Sequence, residues 1–178
     1  MSNFGRREHL RVDGVPVGAA LRDWEPPAPA SEAGSQPEDH GSSIIIVLGT
    51  DAPLEARQLE RLSVRAGGGL ARTGGLLSTT SGDFVIAFST TLRVPHWPSP
   101  RPVLERTVVS EATQPGQAPA INWLFQAASE ATEEAILNSM FAADSLTGRD
   151  GHSLPALPLP ETLAVLRQHG HAVQWPAA

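Results

Sequence analysis

Two adjacent serines, Ser42 and Ser43, stand directly before the apolar run Ile44-Ile45-Ile46-Val47-Leu48. A run of β-branched residues closed by Gly49-Thr50-Asp51 and Pro53 predicts a buried strand. Upstream, residues 24–41 (WEPPAPASEAGSQPEDHG) are rich in Pro, Ser, Glu and Gly. Such a composition buries too little apolar surface to order itself. A disordered tether that ends in Gly41-Ser42-Ser43 at a rigid strand is what a self-cleaving hydrolase requires. The scissile bond is reachable, and the freed serine is the first residue of a fixed element. Serine is a poor nucleophile until a base takes its proton. An N-terminal serine carries its own base, because an α-amine titrates at about 7.7–8.0. Without that chemistry, the same residues are a Ser/Gly turn entering an ordinary strand.

Other polar clusters are weaker as chemistry. Ser81-Gly82-Asp83 precedes the apolar run 84–89 (FVIAFS), and locally it is a plain turn entering a second buried strand. Thr50-Asp51 before Pro53 suits a helix N-cap. His169-x-His171 falls at a helix end, where cations suit the dipole, and no third ligand is spaced to complete a metal site. Gly67-Gly68-Gly69 lacks the Lys-Ser/Thr of a phosphate-binding loop. Arg149-Asp150 looks like a structural ion pair.

The elements that must position these groups follow from spacing. Leu10-Arg11-Val12, Asp13-Gly14 and Val15-Pro16-Val17 predict a small β-ribbon over residues 1–22, because Asp-Gly between short apolar runs is a hairpin signal. A tether over 23–42 follows, and then an α/β layer over 43–178. Leu54, Leu59, Leu62 and Ala66 approximate one helical face. We expect that helix to run through the three glycines, although each costs about 1 kcal/mol relative to Ala. Residues 93–119 are Pro-rich and irregular, with a short strand or turn at Val108-Val109. A long helix spans about 120–144, with Ile121, Leu124, Phe125, Ala128, Ala135, Ile136, Met140 and Phe141 inward and Glu130, Glu133 and Glu134 outward. Residues 147–152 form a compact turn, and Pro160 and Gly170 bracket a last short helix.

The 178 residues suffice for one domain with a sizeable core. A net charge of −6 with only 18% charged residues argues against a nucleic-acid partner, which needs clustered Lys and Arg. There is no cysteine, so disulfide and thiolate chemistry are excluded. No apolar run approaches a membrane span and no signal segment follows Met1, so the expectation is a cytoplasmic protein without a membrane partner.

The run 42–75 (SSIIIVLGTDAPLEARQLERLSVRAGGGLARTGG), followed by SGDFVIAFSTT, resembles the self-processing family of L-aminopeptidase/D-amidase/D-esterases and β-peptidyl aminopeptidases. The resemblance extends through 121–158 and back into NFGRREHLRVDGVPVG, leaving out most of the tether and residues 93–119. It implies an α+β fold, part of an αββα sandwich similar to the N-terminal-nucleophile hydrolases, assembled as oligomers of processed heterodimers. Cleavage falls before the strand-leading serine, here between Ser42 and Ser43. Family members carry Gly or Asn before the nucleophile, whereas here Ser42 stands there, and alignment to the strand favours Ser43 as the new terminus. The resemblance places Ser81 and Asp83 in the catalytic group and gives Asn3 to the oxyanion hole. It implies no cofactor.

Three functional readings follow. The first is an aminopeptidase, amidase or esterase acting on short peptides with small N-terminal residues or on amino-acid amides and esters. The second is a non-catalytic remnant, or the partner of a separate larger subunit. Its motive is that the family's larger subunit extends far upstream of the NFG motif, which here begins at Asn3. The third is acyl transfer resembling ornithine acetyltransferases, against which the Ser42-Ser43 pair argues, since that nucleophile is threonine.

Overall fold

The computed structural model describes residues 5–26, 43–77, 82–91, 93, 96, 97, 105–151 and 153–173. Its elements in order are α1 (Val17–Ala20), β1 (Ser43–Thr50), α2 (Ala56–Arg72), β2 (Gly82–Ser89), α3 (Ile121–Phe141), β3 (Leu146–Thr147), β4 (Ser153–Leu154) and α4 (Leu159–Gln168). The 3-10 turns Arg7–His9 and Arg149–Gly151 complete the set. The result is a mixed helix and sheet fold, as expected.

β1 and β2 pair in parallel, from Ser43 opposite Gly82 to Thr50 opposite Ser89. Parallel neighbours need a crossover of a dozen or more residues, and α2 supplies it. A capping box starts that helix: Gln58 Oε1 accepts from the Glu55 N–H at 3.1 Å. This corrects the expected cap at Thr50 or Asp51. Thr50 Oγ1 instead accepts from the Ala52 N–H at 3.0 Å, and so closes a turn.

Helix α2 does run through Gly67-Gly68-Gly69. Packing against α3 explains why. A Cβ at Gly69 would lie 2.2 Å from the Ser129 carbonyl and 2.7 Å from Thr132 Cβ, and one at Gly68 would lie 3.1 Å from Ser129 Oγ. The two helices therefore approach backbone to backbone at Gly69. Ser129 Oγ donates across the seam to the Arg65 carbonyl at 2.8 Å. Helix α3 buries Ile121, Phe125, Ala128 and Thr132. Thr132 replaces the expected Ala135, which is exposed. Glu133, expected outward, meets Arg72 of α2 at 3.2 Å.

The apolar interior has two parts. Leu54, Leu62, Ile121, Phe125 and Ala128 fill the space under the sheet and between α2 and α3. Leu10, Val12, Val15 and Val17 pack with Leu163, Val165 and Leu166 of α4 in a second cluster. The predicted β-ribbon over 1–22 is not formed among its described residues. Asp13 and Gly14 do make the tight turn, at φ 49° and 77°, but it closes a single bridge between Val12 and Val15 before α1 begins. Pro16 explains the early stop: it has no N–H to extend a ladder. The tether, apart from residues 23–26, lies outside the described residues. No strand forms at Val108-Val109, whose Val109 N–H donates instead to the Pro53 carbonyl at 2.9 Å. Of the turn expected at 147–152, the described residues 147–151 lie at the head of a β3–β4 hairpin. Pro160 falls at the second rather than the first position of α4.

Both strands were expected to be buried, yet only Ile44 is, and the other apolar residues on the helix-facing side of each strand are half-buried. Ile44, Ile46 and Leu48 turn toward the helices. Ile45, Val47, Phe84, Ile86 and Phe88 share the other face and are 46–68% exposed. A continuous apolar run is the mark of a strand covered on both sides. Here the helices cover only one.

The glycine seam generates a paired prediction. Gly69→Ala should destabilise the fold by about 1–3 kcal/mol through overpacking. Gly67→Ala, whose Cβ meets nothing within 4 Å, should stabilise it by about 0.5–1 kcal/mol. Urea denaturation of the two variants beside the parent measures both signs.

Candidate active site

The parallel register brings the two serine motifs together. Ser43 is the first residue of β1 and Gly82, the centre of Ser81-Gly82-Asp83, is the first residue of β2. Paired strands lie about 4.8 Å apart, so the nucleophile candidate and the second motif are immediate neighbours. The Gly82 N–H donates to Ser43 Oγ at 3.3 Å. Asp83 stands opposite Ile44, one step along the ladder, and is exposed. Ser43 is exposed as well. Asn3, Ser42 and Ser81 lie outside the described residues.

Hydrogen bonds at the far end hold this register. Ser89 Oγ donates to the Ala52 carbonyl at 2.7 Å, the Thr90 N–H donates to the Thr50 carbonyl at 2.9 Å, and Thr91 Oγ1 donates to the Asp51 carbonyl. A slip of one residue would turn Ser43 to the other face of the sheet. Beside the site, the Phe84 ring leans over Gly82: a Cβ there would lie 3.1 Å from Phe84 Cε2.

The arrangement offers a serine hydroxyl and a backbone donor to it, with Asp83 one step along the ladder. In the uncut chain the Ser43 nitrogen is an amide, which is not a base.

The other candidates are structural. His169 Nδ1 lies 2.9 Å from the Val165 carbonyl, and His171 Nδ1 lies 3.2 Å from Asp13 Oδ2. No group of three His, Cys, Asp or Glu among the described residues could hold a metal. Arg149 and Asp150 do pair, at 3.0 Å, on the surface, and Asp150 adopts a left-handed φ of 60°. No helix among the described residues is long and apolar enough to cross a membrane.

The strongest electrostatic cluster sits at the opposite end of the sheet, where α2 begins. Glu111 accepts from Arg57 at 2.9 Å, from Gln58 Nε2 at 3.1 Å and from Arg61. Gln58, although 2% exposed, also donates to the Val109 carbonyl at 2.8 Å. Together these bonds clamp the segment around 109–111 onto α2. The bond from Arg57, followed by that from Gln58, holds the Glu111 carboxyl down at about 2, from its ordinary 4.5. Sequence reasoning missed this cluster. Arg57 and Arg61 one helical turn apart were a signal for an acidic partner, but not for which one.

Comparison with known proteins identifies the family of this chain. The model of peptidase family S58 matches residues 1–154. The β-peptidyl aminopeptidase BapA of Sphingosinicella microcystinivorans is 40% identical over 174 residues, covering 94% of this chain and 41% of that protein. The crystal structure of the PH0078 protein from Pyrococcus horikoshii OT3 superposes with a TM-score of 0.76 at 42% identity, over 94% of this chain and 41% of that one. The L-aminopeptidase D-Ala-esterase/amidase of Ochrobactrum anthropi gives 0.74 at 34% identity, over 94% and 42%. That structure is described as a prototype of the serine aminopeptidases and a new variant of the Ntn hydrolase fold. The chain thus spans about two fifths of the length of the relatives it matches.

A pH prediction follows from Glu111. Its folded-state pKa lies below the ordinary value, so its contribution to stability is complete above pH 4.5 and is lost as pH falls toward 2. Glu111→Gln should lower stability at neutral pH and flatten the stability profile over that acid window. Thermal melts of both proteins at stepped pH test this.

Proposed function

This chain belongs to peptidase family S58, and from that membership we propose that it carries the nucleophile of a self-cleaving aminopeptidase. The carrying observation is the register that sets Ser43 beside the Ser81-Gly82-Asp83 motif at the start of two parallel strands.

In the self-cleavage step Ser43 Oγ attacks the Ser42 carbonyl and the Ser42–Ser43 amide becomes an ester. Water then hydrolyses that ester and leaves Ser43 with a free α-amine. In turnover the amine takes the Oγ proton as Oγ attacks the substrate carbonyl. The resulting ammonium gives a proton to the departing amine, and water releases the acyl group by the same route. Asp83 offsets the positive charge on the amine, Ser81 orients the hydroxyl, and Asn3 donates to the tetrahedral oxyanion. Each such donor is worth about 10²–10³ in rate.

Two relatives named for β-peptidyl aminopeptidase and for L-aminopeptidase D-Ala-esterase/amidase activity support a substrate class. It is the amides and esters of amino acids, and short peptides with small N-terminal residues. The reading places the protein in the cytoplasm as an oligomer. The exposed apolar face of Ile45, Val47, Phe84, Ile86 and Phe88 supports a larger subunit packed against the sheet. The same face favours one second reading, a partner subunit with no catalysis of its own.

The deciding experiment is intact mass and N-terminal sequencing after incubation at neutral pH. We expect a chain beginning Ser43-Ile44-Ile45, with hydrolysis of an amino-acid p-nitroanilide that falls to background in Ser43→Ala. A chain that stays whole and inert alone, yet gains activity when mixed with a larger subunit of the family, would support the partner reading.

A further inference from the structure

We infer that Gly82 is a positioning residue for the nucleophile, its backbone N–H holding Ser43 Oγ in the orientation from which it attacks. The inference rests on the reading of Ser43 given above. It concerns the middle residue of the Ser81-Gly82-Asp83 motif, whose flanking residues carry the chemistry assigned so far.

The Gly82 N–H donates to Ser43 Oγ at 3.3 Å. A hydroxyl has one proton and two lone pairs, and accepting from Gly82 engages a lone pair. The bond is therefore compatible with transfer of the hydroxyl proton to the α-amine. As that proton leaves, negative charge grows on Oγ. Hydrogen bonds to charged acceptors are shorter and roughly twice as strong as neutral ones. The Gly82 bond thus tightens toward the transition state, which is the only kind of contact that accelerates the step. Both the self-cleavage and the turnover reaction pass through the same charged oxygen.

The space around Gly82 explains why the residue has no side chain. A Cβ would lie 3.1 Å from Phe84 Cε2 and 3.4 Å from Ser43 Oγ. The first distance displaces the ring, and the second sets a methyl group against the nucleophile. Phe84 and Ser43 share one face of the sheet with Gly82 between them. The glycine therefore gives the hydroxyl a donor at backbone distance and leaves the attack side open.

The test compares two variants of the full chain. Gly82→Pro deletes the N–H at the first residue of a strand, a position where proline is tolerated. Gly82→Ala keeps the N–H and adds only the crowding. We expect the rate of splitting before Ser43 and kcat on an amino-acid p-nitroanilide to fall about 10²-fold further in Gly82→Pro than in Gly82→Ala. KM should stay within about threefold, because the contact acts on the reacting oxygen and not on bound substrate. Equal rates in the two variants overturn the inference. Amide hydrogen exchange at Gly82 gives a readout independent of activity, and decides alone should Gly82→Pro fail to fold. Removing the acceptor in Ser43→Ala should speed Gly82 exchange about tenfold or more, whereas unchanged exchange overturns the inference by itself. A parent chain that neither splits nor turns over overturns the nucleophile reading, and this inference with it.

Discussion

The pairing of Ser43 with Gly82 is the constraint from which the rest of the architecture follows. Two strands that start side by side and run the same way cannot be joined by a turn, so the chain must return along the whole length of the sheet. Helix α2 makes that return, and its own place is set by α3. The glycines at 68 and 69 let the α3 backbone come close enough for Ser129 to reach the Arg65 carbonyl. The seam fixes α2, α2 fixes the crossover, and the crossover brings two motifs 39 residues apart into one hydrogen bond.

Charge is distributed unevenly about this frame. The Glu111 cluster, with its lowered carboxyl, sits where α2 begins, while the nucleophile candidate lies at the other end of β1. Strongly perturbed groups are often taken as pointers to active sites. Here the perturbed group is a clamp that holds a loop to a helix, and the candidate site is found by register. The difference has a chemical reason. The base proposed for this reaction is an amine that exists only after the chain is cut.

Much of this was legible in the sequence. Ser43 at the head of a β-branched run, the second strand over 84–89, the helix across three glycines and the long helix over 121–141 all followed from spacing and composition, whereas Gly82 and Asp83, expected in a turn, are already part of β2. What was not legible depended on long-range partners. The exposed outer face of β1 could not be read from Ile44-Ile45-Ile46-Val47, because an apolar run looks the same whether one or two sides are covered. The N-terminal hairpin failed because Asp13-Gly14 specifies a turn but not the length of ladder behind it. Thr132 and Gln58 are buried polar residues, and only their partners make that burial tolerable: the Ala128 carbonyl for Thr132, and the Val109 carbonyl, Glu111 and the Glu55 N–H for Gln58. Gly82 looked like a turn residue, and its donor role required knowing what lay across the ladder.

The second apolar cluster would acquire a different meaning in a chain cut before Ser43 as proposed. The segment ahead of Ser43 would then be a separate chain, held by non-covalent contacts alone. Four of its side chains, Leu10, Val12, Val15 and Val17, are buried there with α4. At about 1.5–3 kcal/mol for each buried side chain, the attraction is comparable to the roughly 4–15 kcal/mol that association costs in lost freedom. A covalent tether hides that balance, because the effective concentration of its own segment is high. Cleavage would expose it as a dissociation constant. Dilution would then decide how much of the processed protein keeps its N-terminal piece.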